Sequence, residues 1–297
     1  MSNINNRKRH IIIIKGGFGN QLFIHYFSLY LKNKFPNDIV LCETRAYFWL
    51  EYKYKAKFKL DNLGLKFSKN KLIGSFKMLF YIIIINIFSI NFLNKIFQSK
   101  KIIDDQNLNK LDEYYSENNK FIYNGYFQDY KIVDSIYKKN KISFKHYFLS
   151  NKYKLLENKI NKDFNSIAFC IRNFNMPENP RFNYPIKRFN ALIRLIIKEN
   201  KDCKFYIFAY KNFKNKRYIF PENSEFITHE NGYSDDKAIL KLISRCNIKV
   251  ISNSSTFYWM AAYSSIYGNK NTDKNKIYIS ENYGLKHQLC PPRWINF

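Results

Sequence analysis

The 297-residue chain is poor in cysteine, glycine and proline, with five, nine and seven of each, and its acidic residues are outnumbered by basic ones 23 to 50. The cysteines (Cys42, Cys170, Cys203, Cys246 and Cys290) are odd in number and widely spread, and no Cys-x-x-Cys occurs. Neither a zinc site nor a disulfide framework is indicated, and a reducing cytoplasm is the expected compartment. Asp-x-Asp is also missing. The segment before the first apolar run is polar and basic, and the run itself, Ile11 to Ile14, is too short for a signal peptide. No apolar run reaches the roughly 20 residues that span a bilayer. The longest, Met78 to Leu93, is interrupted by Asn86, Ser89 and Asn91. Two readings of it stand open, a buried helix and an interfacial helix docking on lipid. Arginine is scarce too: ten of the fifty basic residues, the rest being lysines scattered among Asn, Ile, Phe and Tyr. A net charge of +27 so dispersed argues against a nucleic-acid interface, which concentrates basic residues on one face. What remains is attraction to anionic lipid surfaces and to acidic or phosphorylated substrates.

Hydrophobic residues make up 46% of the chain, which suits a folded protein with room for two cores. Because glycine is scarce, its clustering at Gly16, Gly17 and Gly19 is informative. The four isoleucines before it read as a strand buried on both faces. Leu22 to Leu31 continues as a largely buried helix. Strand, glycine turn and helix form the unit in which backbone N–H groups and a helix N-terminus bind phosphate. No Gly-Lys-Ser/Thr follows, so this is not a Walker A loop. The third glycine of a dinucleotide fingerprint would fall at Leu22, which argues against NAD or FAD. A tight turn with no ligand is the alternative.

Asp38 to Cys42 is expected to be a second strand, and residues 44–120 to form helices and loops. Phe121 to Tyr130 reads as an aromatic strand ending in a glycine kink at Gly125. Residues 131–162 read as helix and a charged connector, Asn151 to Lys154, which divides the chain into domains 1–152 and 153–297. The second half has a βαβ rhythm. Ile167 to Ile171 is a buried strand that delivers Arg172 to its carboxyl end, where open α/β sheets bind ligands. Phe189 to Lys198 reads as a helix with Leu192, Ile193, Leu195 and Ile196 inward. Lys204 to Ala209 is the next strand. Ser234, Asp235 and Asp236 cap a helix whose inner face is Ile239, Leu242, Ile243 and Cys246. Ile248 to Ser252 is a strand, and Asn253-Ser254-Ser255 turns directly into the helix Thr256 to Ser265. Hydroxyls and N–H groups at such a turn suit a diphosphate oxygen, and an ordinary Ser/Thr cap is the alternative.

Gly-Gly-Phe-Gly-Asn-Gln followed by Leu-Phe resembles the N-terminal signature of family 11 glycosyltransferases, the α-1,2-fucosyltransferases, and more distantly that of protein O-fucosyltransferases. Gly125 to Gln128 is similar to the family's Gly-Tyr-Phe/Trp-Gln block. Cys246 to Trp259 resembles its Cys-Lys-His-x-Ile-Ile-x-Asn-Ser-Ser/Thr-Phe-Ser-Trp-Trp. The family's His-x-Arg-Arg-Gly-Asp is matched only at its first arginine, Arg172. Cys170 replaces the histidine placed near guanine, and Asn173 and Asn175 replace the second arginine and the acid. The resemblance implies two Rossmann-like α/β domains facing across a cleft, the GT-B glycosyltransferase architecture.

It also implies an inverting, metal-independent transfer of a 6-deoxyhexose from a GDP donor to a sugar hydroxyl. The altered Arg172 loop leaves room for L-colitose in place of L-fucose, and no cofactor beyond the GDP-sugar co-substrate is expected. Arg172 would grip the diphosphate, with Asp129 or Glu178 as the base. Donor contacts would come from Gly17, Phe18, Gly19, Asn20, Cys170, Asp236, Asn253, Ser254, Ser255 and Thr256. His25 is either a packed histidine or a base. The expected acceptor is galactose, linked α-1,2, in a surface oligosaccharide of the O-antigen or lipopolysaccharide kind, carried on lipid. The expected location is the cytoplasm, with peripheral contact at the inner face of the membrane and no nucleic-acid partner. The alternatives are a sugar-nucleotide-binding homologue without catalysis and a basic polyanion-binding protein.

Overall fold

The computed structural model describes residues 7–43, 59–60, 83–85, 88–96, 100–144, 147–171, 186–200, 202–210, 218–251, 255–265, 275–280 and 289–297. The chain divides into two units, Met1–Ser143 and Phe144–Phe297. Asn151 to Lys154, expected as a connector, is the first turn of a helix.

In the first unit the β-branched run is strand β1 (Arg9–Ile13), exposed only at its first residue. Helix α1 (Phe18–Lys34) follows the glycine turn, and β2 (Ile39–Glu43) returns parallel to β1, with Arg9 opposite Ile39. Next come α2 (Ile90–Ile96), β3 (Lys100–Ile103), α3 (Leu111–Glu117), β4 (Lys120–Tyr123) and α4 (Tyr130–Tyr137), which packs on α1. Among the described residues the sheet has the order β2-β1-β4-β3, with every pairing parallel. β3 corrects the expectation of helices and loops over 44–120: its two isoleucines are too short a run to show a period. From β1 the chain moves one way to β2 and later returns on the other side as β4. The β1–β4 gap is therefore the topological switch point, the place where α/β sheets take ligands.

Of the apolar run expected as a buried or interfacial helix, residues 78–82 and 86–87 lie outside the described residues. In the rest, Ile84, Ile85, Ile90 and Leu93 pack against Ile11, Ile13, Ile102 and Ile122 of the sheet. Ile83, Phe88 and Phe92 face outward, with the two phenyl rings stacked 5.5 Å apart. Among the described residues no helix is long and apolar enough to cross a membrane. At the opposite, amino edge of the sheet, His10 is fully buried between Tyr123 Oη (2.8 Å) and Asp38 Oδ2 (3.0 Å). Burial lowers its pKa against the raising effect of Asp38.

The second unit runs α5 (Asn151–Lys162), β5 (Ser166–Ile171), α6 (Ile186–Glu199), β6 (Lys204–Ala209), β7 (Glu225–Thr228), α7 (Asp236–Arg245), β8 (Ile248–Ile251), α8 (Thr256–Ser265), β9 (Ile277–Ile279) and β10 (Ile295–Asn296). Its sheet has the order β10-β9-β8-β5-β6-β7, again all parallel among the described residues. The switch point lies between β5 and β8. Phe189, Leu192, Ile193 and Ile196 form the buried stripe of α6, at the helical spacing i, i+3, i+4, i+7. Leu195, expected inward, falls outside that stripe and is exposed. α7 is capped as expected: Asp235 Oδ1 accepts the N–H groups of Lys237 (3.0 Å) and Ala238 (3.2 Å).

Candidate functional site

At the switch point of the first unit, the two motifs of the N-terminal half come together. Gly16 takes φ +78°, which L side chains rarely adopt, and a Cβ there would fall 2.7 Å from Asn20 Nδ2 and 2.9 Å from the Tyr126 ring. Gln21 Nε2 donates to Gly16 O (3.1 Å) and so closes the turn. Across the gap, Gln128 Nε2 donates to Asn20 Oδ1 at 2.9 Å, joining residues 108 apart in the chain. Lys15, at the carboxyl end of β1, donates to Asn124 O (3.1 Å) and Asn124 Oδ1 (2.9 Å), with its ammonium 4.9 Å from the centre of the Tyr126 ring. Burial lowers the Lys15 pKa, while the Asp105 and Asp104 charges oppose that shift.

Asp105 shapes the partner turn. Its carboxylate accepts the N–H groups of Tyr126 and Phe127, and a Cβ on Gly125 would come within 2.8 Å of Asp105 Oδ2. Phe127 is held at φ 49°, an uncommon conformation for a non-glycine residue. Its buried ring stacks on Phe27 at 3.9 Å, which fixes it there. Gly17 contrasts with Gly16. It is the exposed N-cap of α1, has ordinary extended dihedrals, and a Cβ on it would meet nothing within 4 Å. Phe18 and Gly19, in the first turn, are buried. Asp129 caps α4 by accepting Lys131 N–H at 2.8 Å. His25 is fully buried on α1, and burial pushes its pKa down to about 4, so it is a neutral, packed histidine at physiological pH.

In the second unit Cys170 pairs with Ile251, so β5 and β8 end side by side at the switch point, leading to Arg172 and to the turn before α8. Arg172, Glu178, Asn253 and Ser254 lie outside the described residues. Ser255 Oγ accepts Tyr258 N–H at 3.4 Å, the ordinary capping role, and Thr256 opens the helix. The Tyr258 hydroxyl lies 3.4 Å from Ile171 O and 3.3 Å from Phe208 O. It therefore holds the start of α8 over the ends of β5 and β6. The first N–H groups of an α-helix have no partner inside the helix, and its dipole favours negative charge there. Cys170 is fully buried in the sheet, and its thiol pKa is raised well above normal, chiefly by burial and then by Cys246. Asp236 is the first residue of α7, next to its capping Asp235.

Sequence reasoning missed Lys15 and Asp105. Lys15 carries a readable signal, a charged residue directly after a β-branched run, which is where a parallel strand hands the chain to its ligand edge; Asp105 carries none, because the turn it holds lies 21 residues further along the chain.

Two α/β units, each with a parallel sheet among the described residues, have the Rossmann-like fold found in GT-B glycosyltransferases. Compared by sequence, the chain matches no protein-family model and no curated protein. Compared by structure, it is similar to a mutant of Arabidopsis thaliana FUT1 in complex with GDP (TM-score 0.51, 14% identity, 92% of this chain and 70% of that one). It is also similar to POFUT1 in complex with GDP (0.48, 12%, 93% and 98%) and to a family 9 glycosyl transferase from Veillonella parvula (0.46, 10%, 98% and 86%). At these identities the likeness is one of fold.

Proposed function

We propose that the chain is a glycosyltransferase of the α-1,2-fucosyltransferase kind, which moves a 6-deoxyhexose (L-fucose or a relative such as L-colitose) from GDP to a sugar hydroxyl with inversion and without a metal. The observation that carries this reading is the Gln128–Asn20 bond. Two sequence blocks that resemble the family separately meet at one switch point. The GDP held by FUT1, whose fold the chain shares, supports GDP as the nucleotide.

In this reaction negative charge builds on the departing diphosphate, and preorganised cations and N–H groups lower the barrier. Arg172, two-pronged and permanently charged, and the N-terminus of α8 would serve that charge at the second unit's edge. The open Gly17 position would let an anionic or sugar group approach the start of α1. Glu178 or Asp129 would take the proton of the acceptor hydroxyl. The engagement of Asp129 as a helix cap favours Glu178 of the two. It also gives some weight to a second reading, a homologue that binds the sugar nucleotide without turning it over.

The acceptor in this reading is a galactose-ended, lipid-linked surface oligosaccharide, met at the inner face of a membrane. Thermal unfolding with GDP, UDP, GDP-fucose and GDP-mannose, followed by product analysis with and without EDTA, tests the proposal. Stabilisation by GDP compounds and EDTA-resistant transfer are expected. Binding without transfer or donor hydrolysis would select the second reading, and no stabilisation by any nucleotide would end both.

A further inference from the structure

Beyond the switch point of the second unit, the chain carries a pair of aromatic rings that none of the motifs above includes. Tyr210 directly follows β6, and His229 directly follows β7. Ala209 pairs with Thr228, and His229 N–H donates to Tyr210 O at 3.2 Å, so the two residues continue the ladder one step past the sheet's carboxyl edge. Their ring centroids are 4.5 Å apart, tilted by 48°. The Tyr210 side is 48% exposed and His229 is half-buried. A turn closed by Gly232 at φ +78° then leads back to the α7 cap, so the pair rests on a fixed base.

Position is what gives the pair meaning. Neighbouring strands lie about 4.8 Å apart. Stepping from the β5–β8 gap to the β6–β7 gap is two spacings, roughly 10 Å along the same edge. A nucleoside diphosphate whose phosphates lie at the switch point spans that distance with one ribose, which brings its base to the rings. Cys170, meanwhile, is wholly buried and presents no surface to a base.

We infer that Tyr210 and His229 form a stacking platform for the base of a purine nucleoside diphosphate. The inference rests on the function proposed above and assigns base recognition to residues outside the family-like motifs. Aromatic rings attract any base by its π-face, and a purine offers the larger face; with the rings tilted by 48°, the base lies flat on one ring while the other props that ring in place.

Titration calorimetry on the full chain tests it, with GDP, ADP, UDP and inorganic pyrophosphate as probes. His229→Ala and Tyr210→Ala should each raise the GDP Kd roughly 5- to 100-fold, the effect of one lost base–aromatic stack. The ring-retaining His229→Phe and Tyr210→Phe should stay within a few-fold of the parent. Affinity for pyrophosphate should not change in any of them, which also shows that the variants fold. Alanine variants that bind GDP like the parent, while the parent binds GDP well, would overturn the platform and leave the transferase reading standing. A parent that binds no nucleoside diphosphate would overturn both.

Discussion

At the carboxyl edge of the first sheet, side chains hold the turns in place; at the edge of the second, strand register and one tyrosine do so. In the first unit Lys15, Gln21, Asp105 and Gln128 each bond to backbone or to a partner amide, and together they fix Gly16 and Phe127 at positive φ. In the second, β5 and β8 end together because Cys170 faces Ile251, and Tyr258 holds α8 above them. The polar groups of the first edge are thus largely spent on architecture, which leaves the start of α1 at Gly17 as its open position. The second edge is aligned by main chain, so in the function proposed above the chemistry there would fall to Arg172 and to helix N–H groups. Damage at the first edge should register mainly as lost stability, and damage at the second mainly as lost turnover.

The largest effect tests the second edge. Arg172→Ala should cut turnover by roughly 10²–10³ with normal thermal unfolding, and Arg172→Lys should recover little of it, because lysine cannot make the paired contact. Near-normal turnover in the alanine variant would remove Arg172 from the mechanism.

Two glycine substitutions sharpen the contrast inside the first edge. Gly16→Ala forces a side chain into positive φ and into Asn20 and Tyr126, and should cost about 1–3 kcal/mol in urea unfolding. Gly17→Ala has ordinary dihedrals and open space, so stability should hold while affinity for the sugar nucleotide falls. If Gly17→Ala binds and turns over donor like the parent, nothing approaches that position. Asp105→Asn keeps one acceptor but sets an NH2 against the second N–H, so a loss of about 1–3 kcal/mol is expected. An unchanged urea midpoint would show that Asp105 does not hold the turn.

A buried cation distinguishes the units in a different way. Lys15 lies at an edge beside carboxylates, whereas Lys249 of β8 is wholly enclosed, with Asn275 Oδ1 at 3.0 Å as its near partner. Burial pushes the Lys249 pKa down from 10.5 to about 7. Between those values the unfolded chain binds a proton that the native chain does not. The stability of the second unit should therefore rise with pH across that window and be lowest at and below pH 7. Lys249→Met should raise Tm by on the order of a few degrees at pH 7, with the gain shrinking toward pH 10.5. Parallel Tm curves for the two proteins would show that the lysine carries no such penalty.

What the sequence made legible follows from how local each signal is. The isoleucine run, the Asp235 cap and the helix from Thr256 are set by neighbouring residues, and each stands where its pattern puts it. β3 and β7 did not show, since each has only two apolar residues among its four and gains its identity from partners far along the chain. The two N-terminal motifs were visible separately, but that they share a switch point depends on β4 inserting between β1 and β3, which no local pattern encodes. Asp105 was invisible for the same reason: the turn it holds lies 21 residues further along the chain.

The smallest expected effect concerns the outer surface of the first unit. Residues 83–85 and 88–96 cover the sheet with Ile85 and Leu93 and turn Ile83, Phe88 and Phe92 outward on a chain of net charge +27. Apolar rings on a basic protein suit the boundary of an anionic bilayer, where ring burial and lysine attraction act together. The parent should float with vesicles rich in anionic lipid and much less with neutral ones. Phe88→Asp combined with Phe92→Asp should reduce the bound fraction several-fold without lowering turnover on a soluble acceptor, since neither ring belongs to the sheet core. A parent that ignores anionic vesicles at low salt would show that these rings have no lipid to meet, and would leave the function proposed for the two carboxyl edges untouched.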